Sequence, residues 1–130
     1  MIACGLWLAR RRLVAVLVGD GGAPRRTIRA ALTDDARYGL LEYLAHAGAE
    51  IVATEALARV DLLPAQAAGR GVVVWRADDA LVAALLGAAA VRDPARAAAL
   101  LARMPAIPLL RASLRRLAPP EAAARQLLLL

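Results

Sequence analysis

The sequence predicts an α/β fold with a mixed five-stranded sheet, made of a three-strand antiparallel meander and two parallel strands, with helices on both faces. Two observations support this prediction. The first quarter of the chain contains apolar runs separated by short turn-forming segments, as expected for strands joined by hairpins. The later apolar runs EIVAT and VVVW each follow a segment of helical periodicity, and right-handed crossovers of this kind make strands parallel.

The meander begins with two apolar segments, Ile2–Leu8 and Arg12–Val18, of which the second is rich in β-branched residues. Arg10 and Arg11 are predicted to form the turn between them. The connection GDGGAPR is dense in glycine and permits positive φ angles. It leads into RRTIRAAL, whose alternating pattern predicts a third strand at the edge of the sheet.

Helices and strands alternate in the next part of the chain. Thr33 or Asp34 is expected to cap a first helix, which ends at Gly48. The segment EIVAT, residues 50–54, is typical of a short buried strand. A second helix is predicted over about 55–68, and an internal proline kinks or splits it.

The remaining strand of the predicted sheet is VVVW, residues 72–75, whose continuous apolar run is typical of a parallel sheet buried on both faces. Asp78 and Asp93 are expected to cap two further helices. The chain from about residue 107 is predicted to be helical. No internal repeat or long linker interrupts the sequence, so we expect residues 1–130 to form a single domain.

The composition is strongly biased. Hydrophobic residues make up 61% of the chain and aromatic residues only 3%, which predicts a core of Leu, Val and Ala. All 17 basic residues are Arg, and the formal net charge is +6. Such a charge favours a nucleic acid or another acidic partner. A GC-rich genome would produce the same bias toward Arg, so both explanations stay open.

The compartment is predicted from three features. Cys4 is the only cysteine, so the chain has no intrachain disulfide. The first apolar run precedes its positive charges, which is the reverse of a signal peptide. The longest uncharged apolar run, residues 80–91, is too short to cross a bilayer core of about 30 Å. We therefore expect a cytoplasmic protein with no membrane partner.

The order of the elements resembles the ribonuclease H-like fold, and the chain is similar to the N-terminal catalytic domain of RuvC-like DEDD transposases. The similarity runs from residue 2 to about 104. The strand pair CGLWLARRRLVAVLV resembles the family's opening GIDVSK...L.VAVL, and IVATE resembles its V.ME strand. GRGVVVW is similar to its G..V.VV strand, and VRDPARAAALLA to its K.D..DA..LA helix start.

In that family, four carboxylates hold two divalent cations that activate water. The resemblance places the four positions on Trp7, Glu55, Asp93 and Arg96. Mg²⁺ prefers hard oxygen ligands, and two such ions about 3.5–4 Å apart need a carboxylate between them. An indole supplies no oxygen, and a guanidinium repels cations. The resemblance therefore implies a domain without its metal site or any cofactor, in which Glu55 and Asp93 are relics.

These observations favour a catalytically degenerate, non-enzymatic module that associates with nucleic acid or acts in assembly. Trp7 either packs in the core or offers a platform on which a base stacks. The residues predicted to contact phosphates are Arg10, Arg11, Arg12, Arg25, Arg26 and Arg29.

Two alternatives stay open. One is a protein-interaction module that forms a homodimer through its apolar C-terminal segment and has no nucleic-acid role. The other is a divergent metal-dependent nuclease or a transposase-derived domain. Salt-dependent binding to DNA or RNA would distinguish the leading prediction from the protein-interaction module. A titration with Mg²⁺ or Mn²⁺ would distinguish it from the nuclease.

Overall fold

The structure is a computed structural model that describes residues 2–10, 12–54, 67, 69–87 and 92–117. In chain order, its elements are β1 (Ile2–Ala9), β2 (Arg12–Val18), β3 (Pro24–Ala31), α1 (Asp34–Ala47), β4 (Ala49–Thr54), β5 (Val74–Ala77), α2 (Asp79–Leu86), α3 (Pro94–Arg103), a 3-10 turn (Met104–Ala106), α4 (Pro108–Arg111) and β6 (Arg115–Leu117). The helix predicted over about 55–68 and the chain end from residue 118 lie outside the described residues.

The described strands form one mixed sheet in the order β3-β2-β1-β4-β5-β6. β2 pairs antiparallel with both β1 and β3, whereas β4 and β5 run parallel to β1. The predicted meander and the two parallel strands are therefore confirmed. β5 begins and ends two residues later than the run VVVW predicts.

The sheet has a sixth strand, so the prediction of five strands is wrong by one. β6 pairs antiparallel with β5, with Val74 opposite Leu117. The segment LLRASLRRL was predicted to be helical, but only the short α4 is a helix there. The open edge of β5 offers unpaired backbone N–H and C=O groups, and pairing with them outweighs the local helical preference.

Successive residues of β1 point to opposite faces of the sheet, which we name the α1 face and the α3 face. Cys4 and Leu6 pack in the same buried cluster as Leu41 and Leu44 of α1. Trp7 packs on the other side, against the cluster that contains Ala98 of α3. Helices therefore cover both faces, as predicted.

Helix α3 lies very close to β1 because the facing residues are small. A Cβ atom at Gly5 would overlap the carbonyl oxygen of Ala98 and would lie 2.7 Å from the backbone nitrogen of Ala102. The contacts of α3 run along β1 and β2. The position of this helix thus depends on a single glycine in the centre of the sheet.

The predicted helix caps are confirmed. The Thr33 hydroxyl accepts a hydrogen bond from a backbone N–H of α1, and Gly48 ends that helix with φ of 66°. Asp78 and Asp93 accept backbone N–H groups in the first turns of α2 and α3. Within the described ranges, every helix is too short or too polar to span a membrane.

Candidate nucleic-acid interface

Trp7 is the residue that the sequence resemblance places at the first acid position of the family. It lies on the α3 face of β1, opposite Val14 of β2. Leu6 pairs with Ala53, so Trp7 lies beside Thr54 at the end of β4. The indole is only partly buried, and it packs against the clusters that contain Ala98 on one side and Val52 on the other. Trp7 therefore belongs to the core and also retains an exposed surface.

The amino-terminal end of α3 lies over the carboxyl-terminal end of β1. Ala95, in the first turn of α3, packs in the same cluster as Trp7 and Ala9. At the other end of the helix, Ala102 lines a cavity together with Ala3. Helix α3 therefore runs antiparallel to β1, and its first turn lies near Trp7.

Asp93 and Arg96, which match the family's third and fourth acid positions, lie at this end of α3. Both are exposed. An Asp93 carboxylate oxygen accepts a hydrogen bond from the backbone nitrogen of Arg96 at 3.1 Å. Asp93 thus acts as the N-cap of the helix. Glu55, the other relic position, lies outside the described residues.

The donor set here does not fit the pair of divalent cations that the resembled family holds. Trp7 offers no oxygen, and the Arg96 guanidinium is a cation. Asp93 already uses one oxygen as a helix cap. Across the described ranges, no three residues of His, Cys, Asp and Glu come close enough together to hold a metal ion.

Two of the predicted arginines lie on the exposed part of the α3 face. Arg12 pairs with Ala31, and Arg29 pairs with Val14, so the two arginines are diagonal neighbours on adjacent strands. Such neighbours have Cα atoms about 7–8 Å apart. Both side chains are exposed because α3 covers the middle of the sheet and leaves this edge open.

Arg10 and Arg96 extend this positive surface. Arg10 follows β1 in the left-handed region, with φ of 53°, and is exposed. Arg96 is exposed in the first turn of α3. We name the four residues Arg10, Arg12, Arg29 and Arg96 the basic surface. Sequence reasoning did not group Arg96 with the other arginines, because only the packing of α3 on β1 brings the first turn of α3 beside the carboxyl-terminal end of β1.

The other predicted arginines lie elsewhere. Arg26 is on the α1 face, where it donates a hydrogen bond to the Tyr43 hydroxyl at 3.1 Å and lies 4.9 Å from the ring centroid. The Arg25 side chain lies against Gly19 in the β2–β3 hairpin. Arg11 lies outside the described residues. The described arginines that were predicted to contact phosphates therefore lie on different faces of the sheet and do not form one surface.

No family model and no curated protein matches this chain. Among solved structures, it is similar to T. thermophilus RuvC in complex with a Holliday junction substrate. The TM-score is 0.65, and the match covers 90% of this chain and 99% of that chain. The fold is ribonuclease H-like. The sequence identity is 12%, so the likeness shows the fold alone.

Proposed function

We propose that this chain is a catalytically degenerate ribonuclease H-like module, derived from a transposase catalytic domain, which binds nucleic acid without cleaving it. One observation carries the proposal. The end of the sheet where the resembled family places acids has Trp7 and exposed arginines instead. The change replaces ligands for cations with ligands for phosphates.

The chemistry of the basic surface supports this proposal. Arginine presents a planar fork of donors that matches phosphate oxygens, and it keeps its charge at any physiological pH. Arg12 and Arg29 are adjacent, exposed and on one face. The partly exposed indole of Trp7 lies in the same row of the sheet and offers a surface for an unpaired base.

The similar RuvC structure suggests which probe to use. That protein was solved with a Holliday junction substrate. We therefore include a four-way DNA junction beside a linear duplex and a single strand. The three probes share a phosphate backbone and differ in shape. Comparing their affinities therefore distinguishes recognition of DNA shape from electrostatic attraction to phosphates.

The test is fluorescence anisotropy with the three probes over a range of salt concentrations. Replacing Arg12 and Arg29 together with Gln removes two phosphate contacts. We expect weaker binding and a log–log salt slope that is shallower by about 2.

The matched control carries Arg26→Gln and Arg116→Gln. It loses the same charge from the opposite face of β3 and from β6 at the other edge of the sheet. An equal loss of binding in both double variants would show that only net charge matters, and it would contradict the proposed surface.

The nuclease alternative has its own measurement. We expect no phosphodiester cleavage that depends on Mg²⁺ or Mn²⁺. Cleavage that a chelator abolishes, and that Asp93→Asn also removes, would replace this proposal with a live metal-dependent nuclease.

A second candidate function is an assembly module. Leu109 in α4 is 86% exposed, and the nearby Ile107 is 41% exposed. A contact with another protein surface would bury these two side chains. Of the C-terminal segment predicted to form a homodimer, residues 118–130 lie outside the described residues.

A further inference from the structure

Strand β3 is the outer strand of the described sheet. Within the described part of the chain it pairs with β2 alone, over Pro24–Ala31. Most of its side chains are exposed. The edge of a sheet presents a row of backbone N–H and C=O groups with which another strand can pair. The function proposed above uses the side chain of Arg29 from this strand, but not the backbone of the strand.

The strand register indicates which residues of β3 direct their backbone groups outward. Ala9 pairs with Arg12 across the short β1–β2 turn, and hydrogen bonds join the pair that closes such a turn. The backbone of Arg12 is therefore directed toward β1. Arg12 lies opposite Ala31 of β3, and in an antiparallel ladder hydrogen-bonded pairs alternate with pairs that are not hydrogen-bonded. The backbone groups of Ala31, and by the same alternation those of Arg29 and Thr27, consequently face away from β2.

A strand added at this edge would meet different side chains on its two faces. On the α3 face, Arg29 is exposed on β3, and Arg12 is exposed one strand further in. On the α1 face, Ile28 and Ala30 are half-buried against the apolar cluster beneath α1. Side chains of a strand alternate between the two faces of a sheet. The edge therefore suits an extended peptide in which acidic residues alternate with apolar residues.

Charge complementarity favours an acidic peptide over a second copy of this chain. Two copies of β3 paired antiparallel about Arg29 would place like charges directly opposite each other, which destabilises a ladder. The strand has no acidic residue of its own. Arg25 lies against the β2–β3 hairpin, which contains Asp20, and Arg26 is stacked on Tyr43. The exposed Arg29 is therefore the charge that selects the occupant.

We propose that β3 binds an extended acidic peptide of a partner protein as a further strand of the sheet. The backbone groups of Thr27, Arg29 and Ala31 form its main-chain hydrogen bonds, and its acidic side chains lie beside Arg29. The proposal shares Arg29 with the basic surface. It depends on the backbone edge of β3, so it does not rest on nucleic-acid binding.

The first test is fluorescence anisotropy of the full chain with a labelled peptide of alternating glutamate and valine. Thr27→Pro removes an outward N–H and leaves the pairing with β2 intact, because proline is tolerated where an edge N–H faces solvent. We expect this variant to keep its Tm within a few degrees and to bind the peptide about tenfold or more weakly. Thr27→Ala is the matched control. It keeps the N–H, and its affinity for the peptide is expected to change by less than about twofold.

N-methylated peptides give a second measurement that does not depend on the folding of Thr27→Pro. In one peptide the backbone nitrogens of the glutamates carry methyl groups, and in the other those of the valines do. Alternate N–H groups of a strand point in opposite directions, so only one of the two sets faces β3. One methylated peptide is expected to lose binding to the parent chain, and the other is expected to retain it.

A charge reversal tests the role of Arg29. Arg29→Glu is expected to weaken binding of the acidic peptide about tenfold, and to bind a peptide of alternating lysine and valine more tightly than the parent chain does. Arg116→Glu is the matched control, because it makes the same change of charge on β6. Its affinities are expected to change by less than about twofold, as for a distant exposed charge.

Binding of DNA separates this proposal from the function proposed above. Thr27→Pro is expected to bind DNA as the parent chain does, because it keeps the side chains of Arg12 and Arg29. The peptide proposal is overturned if the parent chain does not bind the acidic peptide, if both methylated peptides bind equally, or if Arg29→Glu and Arg116→Glu act alike. A dimer of the parent chain that Thr27→Pro dissociates would assign the edge to a second copy, and it would also overturn the proposal.

Discussion

At the scale of single residues, Trp7 is the side chain on which the proposed function depends most. A carboxylate at this position would face Val14 and Ala98 on the α3 face, where burial disfavours an unpaired charge. The indole instead joins two apolar clusters beneath α3 and leaves part of its surface exposed. Trp7 thus supplies no oxygen to a cation at this end of the sheet, and under the proposed function its exposed ring is a surface for stacking.

The exposed part of Trp7 leads to a spectroscopic prediction. The chain has two tryptophans, so Trp75→Phe leaves Trp7 as the only indole emitter. We expect single-stranded DNA to quench this emission, because a base stacks on the ring. Adding Arg12→Gln and Arg29→Gln is expected to shift the quenching to higher DNA concentration. Unchanged emission at saturating DNA would assign Trp7 to the core alone.

Cys4 gives a second prediction at this scale. Its side chain is fully buried, and burial raises the pKa of the thiol from 9.0 to about 12. The thiolate fraction at pH 8 is then about a thousandfold smaller than in the unfolded chain. We expect a thiol reagent to react with the native chain only as fast as it unfolds, and rapidly in denaturant. Rapid labelling of the native chain would contradict the burial.

The same shift predicts how stability depends on pH. Because the folded state favours the neutral thiol, this contribution to stability is complete below pH 9. The unfolding free energy then falls between pH 9 and about 12, by about 1.4 kcal/mol per pH unit. Denaturant titrations at several pH values measure this slope, and Cys4→Ala is expected to lack this part of it.

At the scale of elements, the contact between α3 and β1 determines where the basic surface lies. Gly5 allows the backbone of the helix to approach the strand. That approach places the first turn of α3, with Arg96, beside Trp7. A side chain at residue 5 would push the helix away and separate the arginines of the helix from those of the sheet.

A pair of glycine substitutions tests this packing. Gly5→Ala is expected to destabilise the chain by about 3 kcal/mol or to prevent folding, because the added methyl group overlaps the α3 backbone. Gly39→Ala is the control, since its Cβ would meet nothing within 4 Å in the middle of α1. The control is expected to stabilise the chain by about 0.5–1 kcal/mol. Urea unfolding measures both, and a neutral Gly5→Ala would refute the close approach.

The helix caps and strand β6 show which elements a local sequence pattern can predict and which it cannot. Turns and caps are determined by neighbouring residues, which is why Thr33, Gly48, Asp78 and Asp93 were predicted correctly. Strand β6 was missed because a three-residue strand has too short a pattern to be detected. β6 forms because β5, which is distant in the sequence, has an unpaired edge with which it can form hydrogen bonds.

At the scale of the whole molecule, the net charge of +6 does not show where the positive charges lie on the surface. Arg26 is stacked on Tyr43 on one face, while Arg12 and Arg29 are exposed on the other. Arg76 and Arg115 meet in a separate cleft. The arginines thus lie in separate places, and the paired variants above measure whether those on the basic surface differ in role from the others.

Assembly is the prediction that belongs to the whole molecule. If the surface around Leu109 joins two copies, Leu109→Ser is expected to lower the molecular mass measured by light scattering from that of a dimer to that of a monomer, because it removes exposed apolar area. Leu85→Ser is the control, since Leu85 is also exposed but lies on α2. A parent chain that is already monomeric at high concentration would remove this second candidate.

The sequence by itself determined the order of the strands in the meander, the parallel crossovers, the helix caps and the presence of an indole at residue 7. These features follow from local backbone preferences, hydrophobic period and residue chemistry. The tertiary structure alone decided which face Arg12, Arg26 and Arg29 occupy, that α3 brings Arg96 beside the end of β1, and that Arg76 pairs with Arg115 across two strands. Such features depend on strand register and helix packing, which join residues far apart in the chain and leave no pattern in any single segment.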